Sequence, residues 1–229
     1  MDYSQFEYIL SSDRLRKYLV VSNNDTRKAM TLYRYNIKLS QEMFALVGCF
    51  EVALRNAIDR CLQIRFGSDW LRDFILPGGI FHSDHRVEKT RKIVQKAYNE
   101  LIRKGIYKHS KLLAAMEFGV WKYMFSNVQY SLTGFSLLSI FPNKPHSTRQ
   151  LRYDNTYIFV ELNYINNLRN RIAHHEPICF GTPVCIDTSY VQNRYSRIMT
   201  LFNWMGVDGQ SLMFGLDRVD DICLKINSL

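Results

Sequence analysis

The sequence predicts an all-α protein, a helical bundle with additional peripheral helices. Three observations carry that prediction. Apolar residues recur at three- and four-residue steps along most of the chain, the period of one helix face. Only 5 Pro and 11 Gly punctuate 229 residues, few for a strand-and-turn architecture. Apolar types make up 47% of the chain, enough for a sizeable core, and the length suits one domain over residues 1–229. No internal repeat, low-complexity tract or linker breaks the pattern.

Taken in order, Ser12 and Asp13 can cap a helix through Leu15, Tyr18 and Leu19. A second helix is expected from Asp25 to about Lys38, with Ala29, Leu32, Tyr33 and Asn36 on one side. Ser40 can cap a longer third, carrying Phe44, Val47, Glu51, Leu54, Ile58 and Leu62, with Gly67 as its stop. Ser68 and Asp69 open a short turn containing Trp70, and Pro77-Gly78-Gly79 reads as a loop. From Ser83 an amphipathic helix turns Val87, Val94, Tyr98 and Leu101 inward and Lys89, Lys92, Lys96 and Arg103 outward, and Gly105 ends it. Ser110 to Phe125 reads as one hydrophobic helix, and residues 127–145 as less regular. A long helix is expected from Ser147 into the 170s, with Ile158, Leu162, Ile165, Leu168 and Ile172 in a row. Pro177 stops it, since proline donates no amide and disfavours helix before it. Asp187 can cap a further helix through Tyr195, Ile198 and Leu201, and a last one spans roughly Leu212 to Ile226.

Composition narrows the function classes. No window approaches the 18 or more apolar residues of a membrane span. Met1-Asp2-Tyr3-Ser4 is neither basic nor followed by an apolar run, unlike a signal peptide. The five Cys (49, 61, 179, 185 and 223) are odd in number and form no C-x-x-C pair. Structural zinc and a disulfide framework are therefore not expected, and a reducing cytoplasm fits best. Cys49 and Cys61, among apolar residues, read as buried thiols. Net charge is +9, and residues 86–108 supply +6 of it, eight Lys/Arg against Glu88 and Glu100. Such clustering points to a polyanion partner. The helix carrying Lys89, Lys92, Lys96 and Arg103 is the candidate surface for RNA backbone contacts, and a solvated face is its plain alternative.

The chemistry-bearing stretch is Asn167-Leu168-Arg169-Asn170-Arg171-Ile172-Ala173-His174-His175-Glu176-Pro177. Arg holds a phosphate with a fixed fork of donors, and His moves a proton near neutrality. Together they suffice for metal-free RNA cleavage, the imidazole accepting the 2′-hydroxyl proton and the guanidinium stabilising the phosphoryl charge. Arg169 and His174 lie roughly 140° apart on an ideal helix, at about 100° per residue, so they are neighbours along the axis without stacking. One imidazole does not obviously serve both proton transfers. His175, or a second chain in a symmetric homodimer, can supply the other. Arg-Asn-Arg as a solvated helix end, with His favoured by the macrodipole, is the competing reading.

The string from Leu168 to Pro177, with Arg169-x4-His174 and a polar Asn170 after the Arg, resembles the HEPN ribonucleases, and more specifically the Abi (abortive-infection) proteins. Arg14-Leu15, Tyr18-Leu19, Leu32-Tyr33, Asn36, Leu39-Ser40, Phe50 to Ile58, Phe118-Gly119-Val120-Trp121 and Trp204-Met205 are similar to the same family. Tyr35 stands where many relatives carry Trp. The resemblance implies a HEPN-like bundle and metal-independent endoribonuclease activity with Arg169 and His174 catalytic and no cofactor. It also implies a homodimer with a composite RNA site and a role in phage defence, often as a toxin, with an antitoxin or another defence protein as a possible partner.

Asn170 can bond a phosphate or fix an imidazole tautomer. Glu51 and Arg55, four apart in favourable order, read as a structural ion pair or as groups that orient Arg169 or His174. His82 and His85 have loose metal spacing without completing ligands. A non-enzymatic RNA-binding or regulatory HEPN module would have the same composition. A purely structural partner of another defence protein stays open too, whereas nothing in the chain has the Gly-Ser and paired-carboxylate pattern of nucleotidyl transfer.

Overall fold

Side-chain caps and a few left-handed residues set the helix boundaries in the computed structural model, which describes all 229 residues. The protein is all-α, with twelve α-helices and a single isolated bridge, Phe180 to Ile186. α1 (Tyr3–Leu10) is a helix that the apolar pattern alone does not announce; Asp2 caps it by accepting from the Gln5 amide at 2.9 Å. α2 (Ser12–Val21) is capped by Ser11, one residue before the predicted cap, through the Arg14 amide. α3 runs unbroken over Thr26–Phe66, 41 residues. The predicted break at Ser40 is absent because Leu39, Met43, Leu46 and Val47 continue the buried row across it, and a lone serine costs a helix little. Asp25 caps α3 through the Arg27 and Lys28 amides, and Gly67 at φ +85° ends it. Phe44, predicted inward, is 55% exposed.

α4 (Trp70–Ile75) follows at once. Gly79 closes the next turn, where a Cβ would sit 2.1 Å from the Asp73 carbonyl. After a 3₁₀ turn capped by Asp84, α5 (Glu88–Arg103) forms with Val94 buried and Lys89, Lys92, Lys96 and Arg103 exposed. The predicted helix 110–125 is two short ones, α6 (His109–Ala114) and α7 (Phe118–Tyr123), followed by α8 (Asn127–Leu132). α9 (Asn155–Ala173) starts later than predicted, at an Asp154 cap accepting from the Tyr157 amide. Its apolar row, Ile158, Leu162, Ile165, Leu168 and Ile172, is buried throughout. α10 (Ser189–Trp204) begins beside Asp187, whose carboxylate accepts from the Ser189 amide. The predicted last helix is α11 (Gly209–Leu212) and α12 (Val219–Asn227), separated at Gly215, φ +77°.

The chain divides into two compact units. The first comprises Met1–Gly48, Asn167–Thr200 and Asp208–Leu229. Phe6, Leu15 and Met30 cluster there with Tyr33, and Tyr18 packs edge-on against Tyr33 and Phe180. Asn227 donates to Thr188, and the Arg218 amide to Glu42. The second comprises Cys49–Asn166 and Leu201–Val207. Phe50 packs on Phe118 and Phe202, and Trp70 on Phe74. The Asp59 carboxylate takes both the Trp70 indole N–H and His109 Nε2 at 2.8 Å. Cys179 and Cys223 are the buried thiols, while Cys49 and Cys61 are only half-buried, contrary to their apolar surroundings in sequence. No helix is long and apolar enough to cross a membrane.

Candidate active site at the end of α9

The last turn of α9 is held by backbone bonds before any side chain is considered. The His174 amide donates to the Asn170 carbonyl, that of His175 to Ile172, and that of Glu176 to Arg171. The last two are the paired bonds of a Schellman cap, which needs one residue in the left-handed region. His175 fills that position at φ 56°, where glycine is the usual occupant and His one of the tolerated alternatives. α9 therefore stops at His175, two residues before the proline expected to stop it.

Side chains of the first unit then fix the turn from outside. Arg14 Nη1 donates to the His175 carbonyl at 2.7 Å. Arg171 Nη2 donates to the Pro177 carbonyl, and Nε lies 3.4 Å from Glu176. The Arg171 guanidinium rests over the Tyr190 ring at 4.8 Å, as does that of Arg194 at 4.7 Å. Buried Asn36 accepts from the Ile178 amide at 2.9 Å. Burial pushes the adjacent Cys179 thiol up to about 12, so it stays protonated and is no competing nucleophile.

Against this, the side chains of Arg169, Asn170 and His174 enter no hydrogen bond or ion pair within the chain. Asn170 and His174 are exposed and Arg169 half-buried. Asn170 and His174 are four residues apart with a helical backbone bond between them, so they share a face, and Arg169 is one residue round from Asn170. The arrangement offers a guanidinium, a carboxamide and an imidazole on a rigid helix end. Such a set can bind a phosphate and move a proton. Arg171 and His175, four residues apart, do not share a face, because His175 leaves the helix at φ 56° and Arg171 turns to the Pro177 carbonyl.

The other predicted residues fall in the second unit. Glu51 and Arg55 are half-buried on α3, with Arg55 Nε 3.4 Å from Asn56 Oδ1. On α5, Lys92 is tied to Glu88 at 2.9 Å, whereas Lys89, Lys96 and Arg103 are unpaired. His82, in the turn before the 3₁₀ helix, and His85, its first residue, are both exposed. Sequence reasoning missed the clamp made by Arg14, Asn36 and Tyr190. Two signals were visible: Arg14 and Asn36 stand among the positions similar to the Abi proteins, and an Asn on the apolar side of α3 must, once buried, have a partner.

A family model described as Abi-like protein matches residues 2–179, a stretch that ends just past this turn. No curated protein and no solved structure matches the chain.

Proposed function

Because the chain belongs to the Abi-like protein family, we propose that it is a HEPN-type, metal-independent endoribonuclease acting in abortive infection, with Arg169 and His174 as its catalytic pair. One observation carries this reading. The turn spends Arg14, Arg171 and Asn36 on its own backbone and leaves Arg169, Asn170 and His174 unbonded.

His174 takes the proton of a ribose 2′-hydroxyl as that oxygen attacks the adjacent phosphorus. Arg169 stabilises the charge that builds on the phosphoryl oxygens, and Asn170 holds a phosphate oxygen or the imidazole. The bond to the 5′-oxygen breaks, and that oxygen takes a proton from a second acid, leaving a 2′,3′-cyclic phosphate. His175 of the same chain or an imidazole of a second copy in a homodimer fills that role. The donor set favours this chemistry over a metal site: the one carboxylate of the motif, Glu176, is already beside Arg171.

The test is incubation of the purified chain with mixed RNA in EDTA, with analysis of product ends. Cleavage leaving cyclic or 3′-phosphates is expected. Strict dependence on magnesium or manganese would sink the mechanism. RNA that is bound but never cut would make the chain a non-enzymatic RNA-binding module.

A further inference from the structure

A groove of about 930 Å³ runs along α5 in the second unit, with Ala115 to Gln129 as its other wall. That volume is near the top of the roughly 300–1,000 Å³ usual for small-molecule sites. The cleavage mechanism makes no use of it. Its wall carries Lys89 and Lys96, two helical turns apart on one face and neither within ion-pair distance of a carboxylate, beside Arg86 and Lys104; Glu100, bridged to Lys104 at 2.6 Å, and Glu117 also line it. Lys92, which lies between Lys89 and Lys96 but does not line the groove, is the one neutralised by Glu88. Val87, Leu101 and Val120 give the groove an apolar lining, and the ring of Tyr123 is 40% exposed at its edge.

Two further features single out this groove. Gln129 lines it at 4% exposure; its Nε2 donates to Thr90 at 2.6 Å, but its Oε1 has no partner in the chain. A buried acceptor left alone is costly, so a donor reaching it from the groove would be favoured. Lys122 is buried beside Tyr123, its ammonium 4.7 Å from that ring and hydrogen-bonded to Asn163, with no carboxylate near it. Lys122 does not itself line the groove; burial first, and the neighbouring charge of Lys89 second, lower its proton affinity, and an anion on Lys89 would offset that second effect.

We propose that this groove binds a nucleotide: phosphate against Lys89 and Lys96, the flat base against Tyr123 and the apolar lining, and a base N–H toward Gln129 Oε1. Anion, apolar plane and N–H donor are the three properties the lining asks for, and a nucleotide has all three. The spacing of the two lysines, about 10 Å at 1.5 Å per residue, suits phosphates in series, and so a single-stranded stretch of RNA. The proposal rests on the RNA reading for that source and not for the ligand class.

Gly119 supplies the probe. It lines the groove from within α7, and a Cβ built there meets nothing within 4 Å. Gly119→Leu would fill the groove, while Gly119→Ala would leave it open and firm the helix. In a His174→Ala background that keeps RNA intact, the affinity for a fluorescent 12-nucleotide single-stranded RNA should fall about ten-fold in Gly119→Leu, in line with loss of one stacked base. It should change less than two-fold in Gly119→Ala. Calorimetry with the four nucleoside 5′-monophosphates separates the sources. Monophosphate binding that Gly119→Leu abolishes assigns a free nucleotide, and an effect on RNA alone assigns a strand. Either supports the nucleotide class. Equal RNA affinity in parent and Gly119→Leu overturns it, and so does an equal loss of affinity for polyglutamate, which would mark an acidic peptide groove. If Gly119→Leu fails to fold, the exposed pair Lys89→Gln and Lys96→Gln takes its place, with the same ten-fold loss expected and unchanged affinity overturning the proposal. RNA that binds in the groove but is not cut by the His174 parent would refute the nuclease reading alone.

Discussion

Arg171, at the end of α9, touches the Pro177 carbonyl, Glu176 and the Tyr190 ring. Lys89 and Lys96, on α5, touch no carboxylate at all. Both regions are basic in sequence, yet the first directs much of its charge at its own backbone and the second at solvent and a groove. Counting cations therefore does not locate the ones that meet a ligand. Within the α9 motif, the neighbouring arginines divide the work: Arg171 holds the turn, and Arg169 is left over.

The largest expected effects test that division. His174→Ala should slow single-turnover RNA cleavage by roughly 10² to 10⁴, as loss of a positioned proton carrier does. Arg169→Ala should cost roughly 10² to 10³. The two should not add, because both act on one transition state. Neither should move the melting temperature appreciably, since neither side chain is bonded within the chain. Arg171→Ala should do the reverse. Its side chain is 31% exposed, so loss of its charged bonds should cost about 1–2 kcal/mol, or roughly 2–8 °C for a chain of this size. An Arg171→Ala protein with unchanged melting and abolished cleavage would move the catalytic guanidinium by two residues.

The same division explains what the sequence revealed. The apolar rows of α9 and of the N-terminal half of α5 were legible because burial follows period, and Leu162, Ile165, Leu168 and Val94 are fully buried as their spacing requires. Helix ends were less legible. Ser40 looks like a cap but lies inside α3, because capping residues act only where the chain leaves the helix. α6 and α7 read as one helix because the break over residues 115–117 contains no Gly or Pro. Arg169 and His174 were visible as a spacing, but their availability was not. It depends on Arg14, Asn36 and Tyr190, which reach the turn from α2, α3 and α10 across long stretches of sequence.

On α5, the comparison sharpens into a choice among lysines. Reversal of Lys89 and Lys96 together to Glu should weaken single-stranded RNA binding about ten-fold or more. It should also flatten the salt dependence by roughly 0.7 in the log–log slope for each phosphate no longer neutralised. Lys92→Glu should change affinity less, because Glu88 already offsets Lys92 at 2.9 Å. Fluorescence anisotropy between 50 and 200 mM salt, about the range over which such binding weakens steeply, separates the two. Equal losses would mean that α5 acts as a diffuse charged face and that the groove selects nothing.

The smallest effect concerns His175, the residue at which the fold and the chemistry of the motif meet. Its backbone is left-handed at φ 56°, which for an L-residue other than Gly costs on the order of 1 kcal/mol. Its carbonyl is what Arg14 grips, and a glycine keeps that carbonyl. His175→Gly should therefore leave the Schellman cap intact. Relief of the left-handed backbone is partly offset by the greater freedom of glycine in the unfolded chain. The net gain should be about 0.5 kcal/mol, or roughly 1–2 °C in melting temperature. His175→Ala removes the same imidazole without relieving the backbone and should not stabilise. If the second proton carrier comes from a partner chain, both variants should keep cleavage within about ten-fold of the parent, well above His174→Ala. If His175 carries that proton itself, both should fall to the His174→Ala level while His175→Gly still melts higher. Calorimetric melting together with single-turnover cleavage reads both outcomes. A His175→Gly protein less stable than His175→Ala would contradict the left-handed cap on which the rigid turn depends.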